Sequence, residues 1–356
     1  MPRISLVSIM LGLGVAACSS APGSESTSSS AQDLSLAGPH AIISFGDSLS
    51  DVGTYAVGEV KALGGGKYTV NSSTAKNWTE VLSSYVGRPA PCAAETGLDG
   101  LAADGFSVPV TTHAGCFNYA EGGARVTNPV GPGNAALGGG NAVIGQLTVP
   151  VVTQIQNYLA IAGGFDCDDL VTVLAGANDL FINLSTVGAG AETPAQGVEA
   201  MTLAGTQLAG YVKTDILGKG AKHVVVLTVP DVNKTPFGLS ESAQTQGLIT
   251  EMLTSFNTAL TTGLVKSGAL IIDGYAFSDQ EAANPAAFGL TNITTPSCNL
   301  TPAVNPLGSS LVCTTSTLVT GALPTWAFAD TVHPTPYSYT LVANKVFASL
   351  LENGWK

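Results

Sequence analysis

The apolar residues of the chain fall into two kinds of segment that alternate along much of its length. Apolar residues at helical spacing, bounded by capping residues or glycine, predict helices at 151–163, 195–220, 240–268 and 337–354. Shorter segments dense in Val, Leu, Ile or aromatic residues predict strands at 41–45, 170–176, 223–231, 268–274 and 325–330. This alternation indicates an α/β fold with a mostly parallel, doubly wound sheet.

Three long segments interrupt the alternation. They cover 58–117, 126–150 and 284–324, and they are rich in glycine and less regular in pattern. Long irregular segments in a compact domain often carry function. We interpret them as loops that border a functional site and not as separate domains.

The first 17 residues differ in character from the rest of the chain. They form a small-residue, apolar segment after one positive charge, too short to span a bilayer as a stable helix and typical of a signal peptide. The sequence Val-Ala-Ala-Cys that ends at Cys18 resembles the lipobox of bacterial lipoproteins, where the cysteine is acylated. We therefore predict a lipoprotein-type signal peptide at 1–17, a Ser-rich tether at 18–38 and one folded domain at 39–356. Cleavage by an ordinary signal peptidase, which gives a secreted protein, is the alternative.

Charge and motif content narrow the function. Charged residues make up 11% of the chain and its formal net charge is -12, which argues against nucleic acid or an anionic membrane surface as a partner. The sequence contains no nucleotide-binding, dinucleotide-binding or zinc-protease motif, so no cofactor and no metal are expected. The acidic run at 166–169 is interpreted as a solvated loop. We expect a monomer that meets a membrane only through its N-terminal lipid anchor.

The cysteines fit an exported protein. Export permits disulfides, and two pairs lie close in sequence within loop-like segments. We predict the disulfides Cys92–Cys116 and Cys298–Cys313, which leaves Cys167 reduced.

Polar residues whose side chains could take part in catalysis follow three of the predicted strands. Ser48 follows the first strand, Asn178 follows the strand at 170–176, and Asp330 and His333 follow the last one. In an open α/β sheet, ligands bind outside the carboxyl ends of the strands, so these residues can meet at one edge. Taken alone, Ser48 is equally well explained as the N-cap of a helix, because serine is common there.

Together these residue types could perform acyl transfer. A serine hydroxyl becomes a good nucleophile when a base removes its proton, and His333 could do so if Asp330 fixes its tautomer. The oxyanion would need fixed donors, which the N–H groups of Ser48 and Gly123 and the amide of Asn178 could supply. The adjacent Gly122 is the alternative to Gly123.

Four segments in this order resemble the GDSL, or SGNH, hydrolase family. They are Gly46-Asp47-Ser48-Leu49, Asn118–Gly123, Gly176-x-Asn178-Asp179 and Asp330-x-x-His333. The resemblance spans residues 41 to about 350 and is greatest to the larger bacterial GDSL lipases and phospholipases. It implies a flavodoxin-like three-layer α/β/α sandwich, with the long Gly-rich loops at its active-site edge.

The resemblance implies an exported serine esterase or lipase that acts on an ester or lipid substrate through an acyl-enzyme on Ser48. The sequence leaves three enzymatic alternatives open: an acyltransferase, a phospholipase with the same site, or a polysaccharide O-acetylesterase. An anchored binding protein without turnover is the alternative outside the enzymes. That reading expects loss of at least one catalytic residue, and the chain shows none.

Overall fold

The structure, a computed structural model, describes residues 41–355. The predicted signal peptide, Cys18 and the predicted tether lie outside the described residues. The strands are β1 (Ile42–Gly46), β2 (Glu95–Asp99), β3 (Ser107–Thr112), β4 (Leu170–Leu174), β5 (His223–Leu227) and β6 (Leu270–Ile272). The helices are α1 (Gly58–Ala62), α2 (Trp78–Tyr85), α3 (Gly139–Ile144), α4 (Val151–Ala162), α5 (Ala177–Gly188), α6 (Pro194–Tyr211), α7 (Pro236–Ser240), α8 (Ala243–Gly263), α9 (Gly274–Ala283) and α10 (Pro336–Glu352).

The main sheet has four parallel strands in the order β1-β4-β5-β6. The mostly parallel sheet predicted from the sequence is thereby confirmed. At the β1 edge, the backbone of Ser44 exchanges hydrogen bonds with Phe117 and Tyr119, so a short segment of chain runs parallel to β1. This contact brings the segment before Gly122 and Gly123 to the same edge as the end of β1.

Helices cover both faces of the sheet, which gives three layers. Successive strand residues point to opposite faces, and the core divides accordingly into two apolar clusters. One cluster joins one face of the sheet to α4, α5, α6 and α8 through Ile43, Phe45, Val171, Val173, Val224 and Val226. The other joins the opposite face to α2 and α10 through Ile42, Leu170, Leu174, Val225, Leu227 and Ile272. The strands are therefore buried on both sides, as their continuous apolar sequences indicate.

The strand predicted at 325–330 does not form, and this prediction was wrong. The backbone in this segment pairs with a neighbouring loop through Ala327 to Asn292 and Cys298 to Ala329, and with itself through Ala329 to His333. These isolated contacts leave the segment outside the main sheet, whose last strand is β6. Its apolar side chains are buried or half-buried, so the pattern indicated burial and not strand pairing.

The segment 58–117, interpreted as a loop, contains regular structure, which corrects the interpretation. Helix α2 begins with a capping box in which Asn77 accepts from the N–H groups of its first turn and Glu80 reaches back to the N–H of Asn77. Its buried residues include Trp78 and Leu82, which pack under the sheet. Strands β2 and β3 form a separate antiparallel pair. Eight residues are too few for the helical period to stand out from the glycine-rich sequence around them.

Both predicted disulfides are present. Cys92 pairs with Cys116 and Cys298 pairs with Cys313, while Cys167 takes part in neither bond. Within residues 41–355, no helix combines the length and apolar character needed to cross a membrane.

Candidate active site

The turn after β1 places Ser48 at the carboxyl edge of the sheet. Gly46 has a positive φ of 154°, and a Cβ there would overlap the carbonyl oxygen of Leu174 on the neighbouring strand. Gln154 of α4 binds the N–H and the carbonyl of Gly46 at 2.9 and 2.8 Å and so fixes the end of the strand. The backbone can then turn sharply, and Ser48 stands at the rim of the sheet.

Ser48, His333 and Asp330 form a continuous chain of hydrogen bonds. Ser48 Oγ lies 2.8 Å from His333 Nε2, and His333 Nδ1 lies 2.8 Å from Asp330 Oδ2. A carboxylate can only accept, so Nδ1 carries the proton and Nε2 is left as an acceptor for the serine hydroxyl. The order of atoms is the one that a serine nucleophile and its base require.

The Asp330 carboxylate is held in place by backbone donors. Its oxygens accept from the N–H of Ser310 at 2.9 Å, of Val332 at 2.9 Å and of His333 at 2.8 Å. Burial alone would raise the pKa of this carboxyl, but the charge and hydrogen bond of His333, together with the N–H donors, hold the pKa well below its usual range. Asp330 is therefore ionised beside the imidazole at any ordinary pH.

Two backbone N–H groups near Ser48 have no acceptor within the described part of the chain. They belong to Ser48 and to Gly123. Gly123 has a φ of 79°, and a Cβ there would overlap the carbonyl of Pro132. The glycine is required by this close approach of two backbones, and its N–H remains available to an incoming oxygen.

The two adjacent glycines differ in whether the backbone N–H is already bound, and the difference is made by Asp51. Its carboxylate accepts from the N–H groups of Gly53 and Thr54 at 2.8 Å and from the N–H of Gly122 at 3.0 Å. The N–H of Gly122 is thus already bound, and that of Gly123 is the one left to bind a ligand. The Asp51 carboxylate thereby joins the turn after Ser48 to the glycine segment.

Asn178 lies in the first turn of α5, directly after β4. Its Nδ2 donates to the carbonyl of Ala124 at 2.9 Å, which leaves the second amide hydrogen for another acceptor. The next residue, Asp179, accepts from Arg125 Nε and from the N–H of Val126, each at 3.0 Å. These bonds tie the start of α5 to the segment that carries Gly123.

Tyr68 is a residue of the site that the sequence did not indicate. Its ring packs against the imidazole of His333 with centroids 4.8 Å apart. Its hydroxyl end lies so close to Gly122 that a Cβ there would overlap it. Tyr68 therefore fills the space between the imidazole and the glycine segment. It lies in the glycine-rich segment 58–117, and no motif marks it.

Asp47, the neighbour of Ser48, is a buried carboxyl with one oxygen bound to the N–H of Leu49 at 3.0 Å. Its other oxygen has no hydrogen-bond partner among the described residues. Burial raises the pKa of this carboxyl to about 7, against the lowering effects of the Leu49 N–H and of His333. Asp47 therefore stabilises the turn that carries Ser48.

The predicted site residues open onto one cavity. Ser48, Gly123, Asn178 and His333 all line a cavity of about 380 Å³ whose walls are mostly apolar, and Asp330 lies behind His333. This size is within the range of ligand pockets, which are typically about 300–1,000 Å³. The structure therefore brings all five predicted residues to one place, with a space for an apolar ligand beside the serine.

Comparison with models of protein families gives a match over most of the chain. The model of the family described as GDSL-like Lipase/Acylhydrolase matches residues 42–346. No curated protein sequence matches the chain significantly.

Several solved structures are similar to the chain at low identity. Phospholipase A1 from Streptomyces albidoflavus NA297 is 13% identical, over 88% of this chain and 100% of that one, with a TM-score of 0.39. An extracellular lipase from Streptomyces rimosus is 13% identical over 87% and 99%, with a TM-score of 0.35. Est24, a carbohydrate acetylesterase from Sinorhizobium meliloti, is 14% identical over 86% and 98%, with a TM-score of 0.37. Since the family match runs from β1 into α10 and includes the segments that hold Ser48, Asn178 and His333, the chain belongs to the GDSL-like lipase/acylhydrolase family.

Proposed function

We propose that the protein is a serine esterase or lipase that hydrolyses carboxylic esters through an acyl-enzyme on Ser48. The observation that supports this most directly is the chain of hydrogen bonds from Ser48 through His333 to Asp330, with 2.8 Å at each step. It opens onto an apolar cavity in which an acyl group could lie beside the serine hydroxyl.

In the first half of the reaction, Ser48 Oγ attacks the ester carbonyl and its proton passes to His333 Nε2. The carbonyl oxygen becomes an oxyanion, which accepts from the N–H of Ser48, the N–H of Gly123 and the amide of Asn178. When the tetrahedral intermediate collapses, the ester C–O bond breaks. The proton on His333 goes to the leaving alcohol, and the acyl group stays on Ser48.

In the second half, water takes the place of the alcohol. His333 Nε2 accepts a proton from this water, which attacks the acyl carbonyl of Ser48. The bond to Ser48 Oγ then breaks, the proton returns to that oxygen, and the carboxylic acid leaves. Asp330 stays ionised throughout and stabilises the imidazolium that forms in both halves.

This proposal is tested by covalent labelling together with turnover. A fluorophosphonate should label Ser48 stoichiometrically, as seen by peptide mass spectrometry, and should abolish hydrolysis of p-nitrophenyl butyrate. Labelling at a different residue, or turnover that survives complete labelling of Ser48, would contradict the proposed nucleophile.

We expect Asn178→Ala to reduce kcat for p-nitrophenyl butyrate by about a hundred- to thousandfold, because one donor to the oxyanion is lost. KM should change little, since the interaction strengthens mainly in the transition state. Asn178 also binds the carbonyl of Ala124, so thermal melting must be measured alongside kinetics.

Asn183→Ala is the matched control for this variant. Asn183 is a buried asparagine on the same helix, and its amide contacts Met201 instead of the cavity. We expect Asn183→Ala to lower the melting temperature without a comparable loss of kcat. Near-normal kcat in a well-folded Asn178→Ala protein would remove Asn178 from the mechanism.

We further propose that the protein is exported and anchored to a bacterial membrane through an acyl group on Cys18. The support is the lipobox-like sequence that ends at Cys18, the Ser-rich segment after it, and two disulfides of the kind that persist outside the cytoplasm.

Cys18→Ser is expected to move the protein from the membrane fraction to a soluble or unprocessed form, while activity per folded molecule stays unchanged. Fractionation with immunoblotting and intact-mass analysis of residue 18 measure this. A wild-type protein that is fully soluble and carries no acyl group at Cys18 would refute the anchor.

A further inference from the structure

The cavity beside Ser48 continues away from the site into a groove between α9 and α10. Helix α10 packs mainly on α2, and α9 packs on the turns at 285–288 and 232–234. Residues of both helices line the cavity, which therefore lies between them. The floor of the groove is formed by residues at the carboxyl ends of the last three strands, Leu174, Leu227 and Ile272, which all line the cavity. The lining is therefore apolar where it joins the site.

One face of α10 forms a wall of this groove. Tyr339, Val342 and Val346 line the cavity, and their spacing of three and four residues places them on one side of a helix. The helix begins at Pro336, only three residues after His333, so this wall starts at the site itself. From Ser338 to Lys345 the lining extends about 10 Å along the axis at 1.5 Å per residue, room for an extended chain of roughly eight to ten carbons.

The opposite wall comes from α9, and the lining of the groove changes from apolar to charged at its far end. Phe277 and Ala282 line it from the α9 side. Glu281 and Lys345 also line it and lie well along their helices from the site. One buried oxygen of Glu281 has no hydrogen-bond partner among the described residues. The favourable burial of hydrocarbon should therefore end where these two ionisable side chains begin.

We propose that the groove between α9 and α10 binds the acyl chain of the substrate, so that the protein prefers medium to long acyl esters over acetyl esters. This inference rests on the proposed function, because it places the chain of the group attached to Ser48. Leu49 lines the cavity directly beside Ser48 and leads towards the floor of the groove. A chain that extends from the acyl carbonyl thus meets apolar side chains from its first carbons.

The expected signature is a rise of kcat/KM with chain length that levels off. Each methylene buried in the groove should raise kcat/KM by up to about fourfold, as its transfer from water is favourable. We would measure kcat/KM for p-nitrophenyl acetate, butyrate, octanoate, decanoate and palmitate, each below its aggregation limit. Values should increase up to about decanoate and then level off near Glu281 and Lys345. A flat or falling series from acetate would overturn the proposal.

Two variants narrow the groove from opposite walls. Val342→Trp and Ala282→Trp both replace half-buried lining residues with a large ring. Each should lower kcat/KM for decanoate by about tenfold or more, the equivalent of two or more methylenes excluded, and leave acetate within about twofold. Ala348→Trp is the control, because Ala348 is an exposed residue of α10 outside the cavity lining. Equal losses on all esters in both groove variants would overturn the proposal.

A binding experiment tests the groove without turnover. Ser48→Ala protein should bind dodecanoate, measured by calorimetry, and the added Val342→Trp change should weaken this binding about tenfold while the added Ala348→Trp change does not. If the wild-type protein hydrolyses no ester, but dodecanoate binding is weakened by Val342→Trp and not by Ala348→Trp, the proposed function is refuted and the groove is still supported as a binding site. Hydrolysis of acetate with no preference for longer chains and no dodecanoate binding would refute the groove alone.

Discussion

Replacing Ser48 by alanine is expected to reduce kcat for ester hydrolysis by roughly 10⁴- to 10⁶-fold, to near the background rate. The hydroxyl whose proton His333 would accept is then missing, so no acyl-enzyme can form. The loss should fall on kcat with little change in thermal melting, because among residues 41–355 the hydroxyl makes a single hydrogen bond, to His333. Single-turnover kinetics with p-nitrophenyl butyrate, together with intact mass after mixing, measure both the rate and the acyl adduct.

Ser50→Ala is the matched control for this result. Ser50 is a buried serine two residues further on, and its hydroxyl accepts from Trp78 Nε1 at 3.2 Å without reaching His333. We expect Ser50→Ala to keep most of its turnover and to lose some stability. If Ser48→Ala kept more than a few per cent of wild-type kcat, Ser48 could not be the nucleophile.

Asp330→Asn is expected to lower kcat by about 10⁴-fold, as loss of the carboxylate does when it fixes the tautomer of a catalytic histidine. The carboxylate accepts from His333 Nδ1 and from three backbone N–H groups, so it uses both oxygens as acceptors. An asparagine replaces one acceptor by an NH₂ group. Wherever this NH₂ group is placed, it faces a donor. An NH₂ group that faces Nδ1 can hold the ring of His333 only in the reversed tautomer.

Kinetics against pH and a control variant measure this effect. Asp273→Asn is suitable as the control, because Asp273 accepts from the N–H of Ala276 as the N-cap of α9, and an asparagine keeps that acceptor. We expect the control to retain wild-type kcat. A well-folded Asp330→Asn protein within tenfold of wild-type kcat would show that Asp330 does not set the state of His333.

The same carboxylate should affect stability in acid. Its pKa is lower in the folded protein than in the unfolded chain, so the unfolded state binds its proton first as the pH falls. Its contribution to the free energy of unfolding is complete above the unfolded pKa and is lost as the pH falls through the lower, folded pKa. Asp330→Asn should lack this component of the acid sensitivity.

The sequence predicted much of the sheet because burial on two faces leaves a strong pattern. The cores of β1, β4, β5 and β6 lie within segments dense in Val, Leu and Ile. The chain around Asp330 was misread for a related reason. Its residues are as apolar as those of a strand, but whether their backbone pairs with β6 or with a loop depends on contacts far away in sequence.

Sequence motifs predicted which residues form the site, but they did not predict how these residues are arranged. Ser48, Asn178 and His333 each follow a recognisable segment, and the structure brings them to one cavity. Nothing in the sequence told Gly123 from Gly122, because the difference lies in which N–H the Asp51 carboxylate binds. Tyr68 was missed for the same reason, since its contact with His333 is made across 265 residues of chain by tertiary packing alone.

The hydrogen bond that the N–H of Gly122 donates to Asp51 limits how the sequence of this site can diverge. It joins two segments 71 residues apart, one that carries Ser48 and one that carries Gly123, into a single structural unit. A substitution that moves either segment would displace the other, so the two cannot drift independently during evolution. An engineer who transplants the serine turn into another scaffold would therefore need to graft the glycine segment with it.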